Sequence, residues 1–181
     1  DIILNNGSFY FKKNFLDSVI AQTNHLKKNF KFEKNNSKRV EILTALLLSG
    51  LVFKEYLDNF NIAIKELEKL VKNYFDNDGF PLTRNPSDLI FFSKYLILCK
   101  ECIKDAQQYV PDFLDTIIDN NLKCIKNILT PNNQTPLFNG GTEYNLEQFN
   151  KFFDRLDYKS KDKKNIIGGI HTFSVKNSAI F

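Results

Sequence analysis

Two polar, turn-rich breaks divide a chain that otherwise reads as amphipathic or buried helix. The first is Asp76-Asn77-Asp78-Gly79-Phe80-Pro81-Leu82-Thr83-Arg84-Asn85-Pro86. The second is Thr130-Pro131-Asn132-Asn133-Gln134-Thr135-Pro136-Leu137-Phe138-Asn139-Gly140-Gly141. Pro and Gly at this density end helices, so the segments on either side have to fold back and bury their apolar stripes on one another. Loops carried by a rigid helical scaffold are also where binding and catalytic side chains concentrate.

The 3.6-residue period predicts a first helix from Lys13 to Phe30, with Leu16, Val19, Ile20, Thr23, Leu26 and Phe30 on one face and His25 beside that stripe. Residues 1–12 read as irregular around the turn signal Asn5-Asn6-Gly7-Ser8. Asn35-Asn36-Ser37 is a turn and N-cap for a second helix, Ser37 to Asn59. That helix is apolar almost all round between Leu43 and Phe53, the mark of a central helix. A third helix is predicted from Asn61 to Phe75, with Ile64, Leu67, Val71 and Tyr74 inward. Pro86-Ser87-Asp88 starts a fourth that runs to Ala106, burying Leu89, Phe92, Tyr95, Leu96 and Cys99. Pro111, at a favoured first-turn position, opens a fifth to Leu129 with Leu114, Ile117, Ile118, Leu122 and Ile125 on one face. A sixth is predicted from Leu146 to Leu156.

The period then changes. After a charged linker, residues 158–166, the run Ile170-His171-Thr172-Phe173-Ser174-Val175, a turn at Lys176-Asn177 and Ala179-Ile180-Phe181 read as the start of a β-hairpin. Helices pairing 1–2, 3–4 and 5–6 with no strand between them predict an all-α fold, an (α/α) toroid-like array of antiparallel hairpins over residues 1–157. Residues 167–181 would be the first strands of a truncated β-sandwich domain. Asp at position 1, no Met anywhere and a final apolar run point to a partial or processed chain.

The net charge of +4 is spread along helices among acidic residues. That pattern describes a solvated surface, with a groove favouring an anionic ligand as the alternative, and lacks the basic stripe with interleaved aromatics of a nucleic-acid interface. No apolar run approaches the roughly 18 residues of a membrane span; Ile42 to Phe53, the best candidate, is broken by Thr44, Ser49 and Gly50. Cys99 and Cys102 stand at i, i+3 within a helical pattern and read as structural thiols. A zinc site would need two further ligands, with only Cys124, His25 and His171 to draw on, so no metal is expected here.

At the two breaks the sequence resembles a known family. Asp78-Gly79, then Arg84-Asn85-Pro86, between an amphipathic and an apolar helix, is similar to the D-G-G-H-x-S-R-N-P segment of bacterial heparinase II/III-like proteins. Pro136-Leu137-Phe138-Asn139-Gly140 resembles that family's L-x-L-F-N-G segment. Gln22-x-x-His25-Leu26, Ser49-Gly50-Leu51 and Gly169 agree in order and spacing, so the likeness covers residues 15–181. It implies a toroid joined to an antiparallel β-sandwich, and a polysaccharide lyase acting on uronic-acid glycans. It further implies an acidic polysaccharide as partner, a bacterial cytoplasmic or periplasmic setting, and no cofactor in these residues, any divalent metal belonging to the missing β-sandwich. The chain departs from the pattern at Phe80-Pro81, where the family has Gly-His.

Elimination across a uronate ring requires the carboxylate to be neutralised, a base to take the adjacent proton and an acid to protonate the leaving oxygen. Arg84 and Asn85 suit the first task, Asn139 adds a hydrogen bond, and Asp78 shares the loop. Tyr144, the nearest phenol, and His25, if the first helix faces the cleft, are the candidate proton carriers. Each also has a structural reading: Asn85 a helix cap, Arg84 paired to Asp78 or Asp88, Asp76 and Asp78 turn formers, Phe138 a core anchor. A non-catalytic glycan-binding relative and a helical protein-interaction scaffold are the alternatives.

Overall fold

A computed structural model of the chain describes residues 7–130, 134–142, 151, 166–171, 173–175 and 178–180. Among the described residues it is mostly helical, with five α-helices and four short strands near the C-terminus. The chain divides into two compact units, residues 1–66 and 67–181.

The first unit holds α1 (Phe9–Asn29), α2 (Asn36–Val52) and the start of α3 (Leu57–Tyr74). Ser8, in extended conformation, accepts the Phe11 N–H on its Oγ at 3.2 Å and caps α1. A side-chain cap satisfies one of the orphan N–H groups of a first turn, so the helix begins at Phe9 and not at Lys13 as the periodicity predicts. Asn35 caps α2 in the same way through the Lys38 N–H at 3.1 Å. Val40, Leu43, Leu46 and Leu47 of α2 are fully enclosed, together with Phe30 and Ala63.

Helix α2 ends at Val52, short of the predicted Asn59. Phe53 leaves the helical region, a 3-10 turn spans Lys54–Tyr56, and α3 starts at Leu57. The reason is a close crossing. A Cβ on Gly50 would stand 2.4 Å from the Phe60 nitrogen, so the backbones of α2 and α3 touch there. Buried Asn59 donates to Ser49 Oγ at 3.1 Å across the same crossing. A continuous helix would carry Asn59 away from Ser49, so the chain turns between them.

The second unit contains the rest of α3, then α4 (Pro86–Asp105) and α5 (Asp112–Ile128), which pack on each other. The inward line of α3 here runs through Leu67, Leu70 and Tyr74, with predicted Val71 only half-buried. Tyr74 stacks on Phe92 of α4 at 4.4 Å, and Phe75 meets the same ring edge-on at 5.7 Å. Helix α4 buries Leu89, Ile90, Phe92, Leu96, Ile97 and Cys99, while Tyr95 and, on α5, Leu122 are half-buried. Gln107 ends α4 at φ 55, its N–H reaching Lys104 O at 2.8 Å and the Gln108 N–H reaching Ile103 O at 3.0 Å. That is a Schellman motif closed without glycine.

Two antiparallel hairpins follow. Strand β1 (Ile166–Ile167) pairs with β2 (Ile170–His171) around Gly168-Gly169, both at positive φ. Strand β3 (Phe173–Val175) pairs with β4 (Ser178–Ile180) in the register Val175↔Ser178. The second hairpin matches the period-two reading. The first corrects the linker boundary, because Ile166 already belongs to a strand. The predicted sixth helix, Leu146 to Leu156, residues 158–165 and the turn at Lys176-Asn177 lie outside the described residues. No helix of the described chain is long and apolar enough to cross a membrane.

Candidate functional site

The two breaks come together at the N-terminus of α4. Phe75 and Pro81 form an antiparallel bridge, and the Leu82 N–H donates to Tyr74 O at 2.9 Å. The loop between them is closed by Asp76 from within. Its N–H donates to Phe80 O at 2.9 Å, while its Oδ1 accepts from the Asp78 N–H at 3.0 Å and the Phe80 N–H at 2.8 Å. Gly79 sits at φ 84 against α5, where a Cβ would fall 2.5 Å from Asn120 Cβ. Only glycine meets both the left-handed backbone and that approach.

Arg84 is held at φ 56, an unusual conformation for a residue with a Cβ. Its Nη1 pairs with Asp76 Oδ2, also reaching Pro81 O at 3.4 Å, and its guanidinium lies 5.8 Å from the Phe80 ring centroid. The expected pairing with Asp78 or Asp88 is therefore corrected. Asp88 Oδ2 instead accepts the Tyr74 hydroxyl at 2.7 Å and the Thr83 hydroxyl at 2.9 Å. Burial, reinforced by that bond to Asp88, pushes the Tyr74 phenol well above its ordinary value. Held protonated in this way, Tyr74 is no base at neutral pH. Asn85 caps α4, its Oδ1 accepting the Ser87 N–H at 2.8 Å.

The second loop docks on this cap. The Thr142 N–H donates to Ser87 Oγ at 2.8 Å, and Asn139 Nδ2 donates to Arg84 O at 3.4 Å. Asn139 and Gly140 are left-handed at φ 50 and 81, and a Cβ on Gly140 would stand 3.5 Å from Asn85 Nδ2. Phe138 is half-buried, and Thr135 and Pro136 are the buried anchors in its place. Arg84, Asn85 and Asn139 are thus gathered in one place. Arg84 Nε and Nη2 and Asn85 Nδ2 have no partner among the described residues, and the Arg84 side chain is 31% exposed. N–H groups of these kinds pair well with a carboxylate or another anion.

The remaining candidates are placed differently. Asp78 does not join the donor set: its Oδ2 accepts the Gly168 N–H at 3.1 Å and its carbonyl accepts the Cys124 thiol at 3.2 Å. His25 belongs to the first unit, exposed on α1, its Nδ1 lying 3.4 Å from Asn29 Nδ2. Tyr144 lies outside the described residues. Asp76, read from sequence as a turn former, turns out to hold both the loop and Arg84. Its signal was the acidic residue heading Asp-x-Asp-Gly eight positions before an arginine. No cluster of three or more metal-ligating side chains occurs among the described residues. Cys99 and Cys124 are buried, and burial together with Asp105 and Glu101 raises the half-buried Cys102 thiol. No family model, curated protein or solved structure matches the chain.

Proposed function

We propose that the chain is the helical part of a heparinase II/III-like polysaccharide lyase, cleaving uronic-acid-containing glycans by β-elimination. The observation that carries this reading is the convergence of Arg84, Asn85 and Asn139, two of them in the left-handed conformation. Non-glycine residues held there cluster at functional sites. Arg84 and Asn85 would take the uronate carboxylate and stabilise the enolate that forms when the neighbouring proton leaves. Asn139 fixes the Arg84 backbone and offers its amide oxygen to a sugar hydroxyl. Tyr144, the first phenol after the second loop in the sequence, is the proton carrier in this reading.

A second reading has its own observation. Phe80, where the resemblance would have the glycine of Gly-His, is fully buried and Pro81 is also enclosed. The first loop therefore presents no imidazole, which favours a relative that binds acidic glycans without cleaving them.

The test follows the ultraviolet absorbance of the unsaturated uronate while the protein is incubated with heparan sulfate, hyaluronan or alginate. The expected result is a rise that Arg84→Ala and Asn139→Ala abolish while the far-ultraviolet dichroism stays the same. Binding without a rise selects the second reading. With neither binding nor a rise, both readings fail and the interaction scaffold stands.

A further inference from the structure

Asp78, a candidate ligand residue by sequence, meets the turn between the first two C-terminal strands, and a short run of bonds leads from that contact to Arg84. The Gly168-Gly169 turn docks onto the first loop at two points. The Gly168 N–H donates to Asp78 Oδ2 at 3.1 Å, and a Cβ on Gly168 would lie 2.6 Å from Phe80 Cβ. Both points lead directly to Arg84. Asp78 is tied by its N–H to Asp76 Oδ1, and the other oxygen of Asp76 holds the Arg84 guanidinium. Phe80 is tied by its N–H to the same Oδ1, and its ring carries the guanidinium near its centroid. The loop is fixed from behind as well, because the Asp78 carbonyl accepts the Cys124 thiol and Gly79 abuts Asn120. A loop so tightly bonded internally passes on a displacement at its tip instead of absorbing it.

We propose that Asp78 is a positioning residue, a latch by which the docked Gly168-Gly169 turn sets the orientation of the Arg84 guanidinium through Asp76 and Phe80. When the turn is seated, Asp76 presents its free oxygen to Nη1 and leaves Nε and Nη2 for an anion. When the turn is lifted, the loop tip loses its outer support and the guanidinium loses its fixed orientation. The latch concerns the geometry of Arg84 and holds whether or not the site takes a uronate.

The test reads the Nε–Hε resonance of Arg84 by ¹⁵N NMR. The chain has three arginines, Arg39, Arg84 and Arg155, so Arg84→Lys assigns the signal and Arg39 serves as the internal control for intact folding. Asp78→Ala removes the acceptor for the Gly168 amide, whereas Asp78→Asn keeps an oxygen at that position. Gly168→Ala lifts the turn from the other side, its new Cβ meeting Phe80. The expected result is that Asp78→Ala and Gly168→Ala both shift the Arg84 signal and speed its hydrogen exchange several-fold. Asp78→Asn should leave the signal close to the parent, and Arg39 should not move in any variant. Two outcomes overturn the proposal. An Arg84 signal that stays fixed in Asp78→Ala while the Gly168 amide shifts would show the turn to be independent of Arg84. Equal shifts in Asp78→Asn and Asp78→Ala would show that Arg84 senses the carboxylate charge and not the docked turn.

Discussion

Replacing Asp76 tests whether one carboxylate organises the first loop. Asp76→Ala removes the acceptor of two backbone N–H groups, those of Asp78 and Phe80, together with the partner of Arg84. Hydrogen bonds to a charged group contribute about 1.5–3 kcal/mol each, and with the Asp76 side chain 19% exposed the lower end applies. The two amide bonds then give about 3 kcal/mol. The ion pair, with Arg84 nearly a third exposed, adds about 0.5 kcal/mol. Asp76→Asn retains an oxygen for the amides and loses only the charge, so its loss should be near 1.5 kcal/mol, about half of that in alanine. Urea denaturation followed by circular dichroism measures both, and in a chain of this size each kcal/mol moves Tm by about 2–4 °C. Equal losses for Asn and Ala would refute the hydrogen-bonding account. A loss below about 1 kcal/mol for alanine would refute the claim that Asp76 organises the loop at all.

Three further changes have defined outcomes. Gly50→Ala, which in an exposed helix would stabilise by about 1 kcal/mol, should instead destabilise by about 2 kcal/mol or more as the new Cβ forces α2 from α3; a thermal melt equal to the parent's would remove the crossing. Tyr74 has a raised folded pKa, so its contribution is complete below the ordinary phenol value of 10.0 and is lost above it, at about 1.4 kcal/mol per pH unit. Alkaline unfolding should accordingly set in above that value and be less steep in Tyr74→Phe, and identical pH profiles for the two proteins would count against it. Ser8→Ala should cost about 1 kcal/mol of local helix stability, seen as faster amide exchange over residues 9–12 with the rest unchanged.

Much of the architecture is legible in the sequence because helix periodicity and Pro/Gly breaks are local signals. The apolar faces of α4 and α5 could be read from spacing alone, and Asn85 is a cap by residue type and position. The break between α2 and α3 was hidden because apolar residues run on through Leu51, Val52 and Phe53. The feature that ends α2 there, Gly50 meeting Phe60, involves a partner that no local pattern names. At the site, residue type singles out Arg84, Asn85 and Asn139, which the two loops bring next to one another. Which carboxylate would hold Arg84 was not legible, since Asp76, Asp78 and Asp88 are equivalent by type and only the loop's hydrogen bonds choose among them. The bond from Gly168 to Asp78 was not legible either, because the two residues lie 90 positions apart.

The crossing of α2 and α3 bears on the order of folding. Ser49 and Asn59, which bond across it, are only ten residues apart, and a loop of about that length closes in roughly 10–100 ns. The α2–α3 corner can therefore assemble from local chain alone and serve as a nucleus for the first unit. The Asp78–Gly168 contact closes a far longer loop and pays its closure entropy late. Helical scaffolding should form first, and the Arg84 loop should acquire its final geometry only in the last step, when the C-terminal turn comes to rest on it.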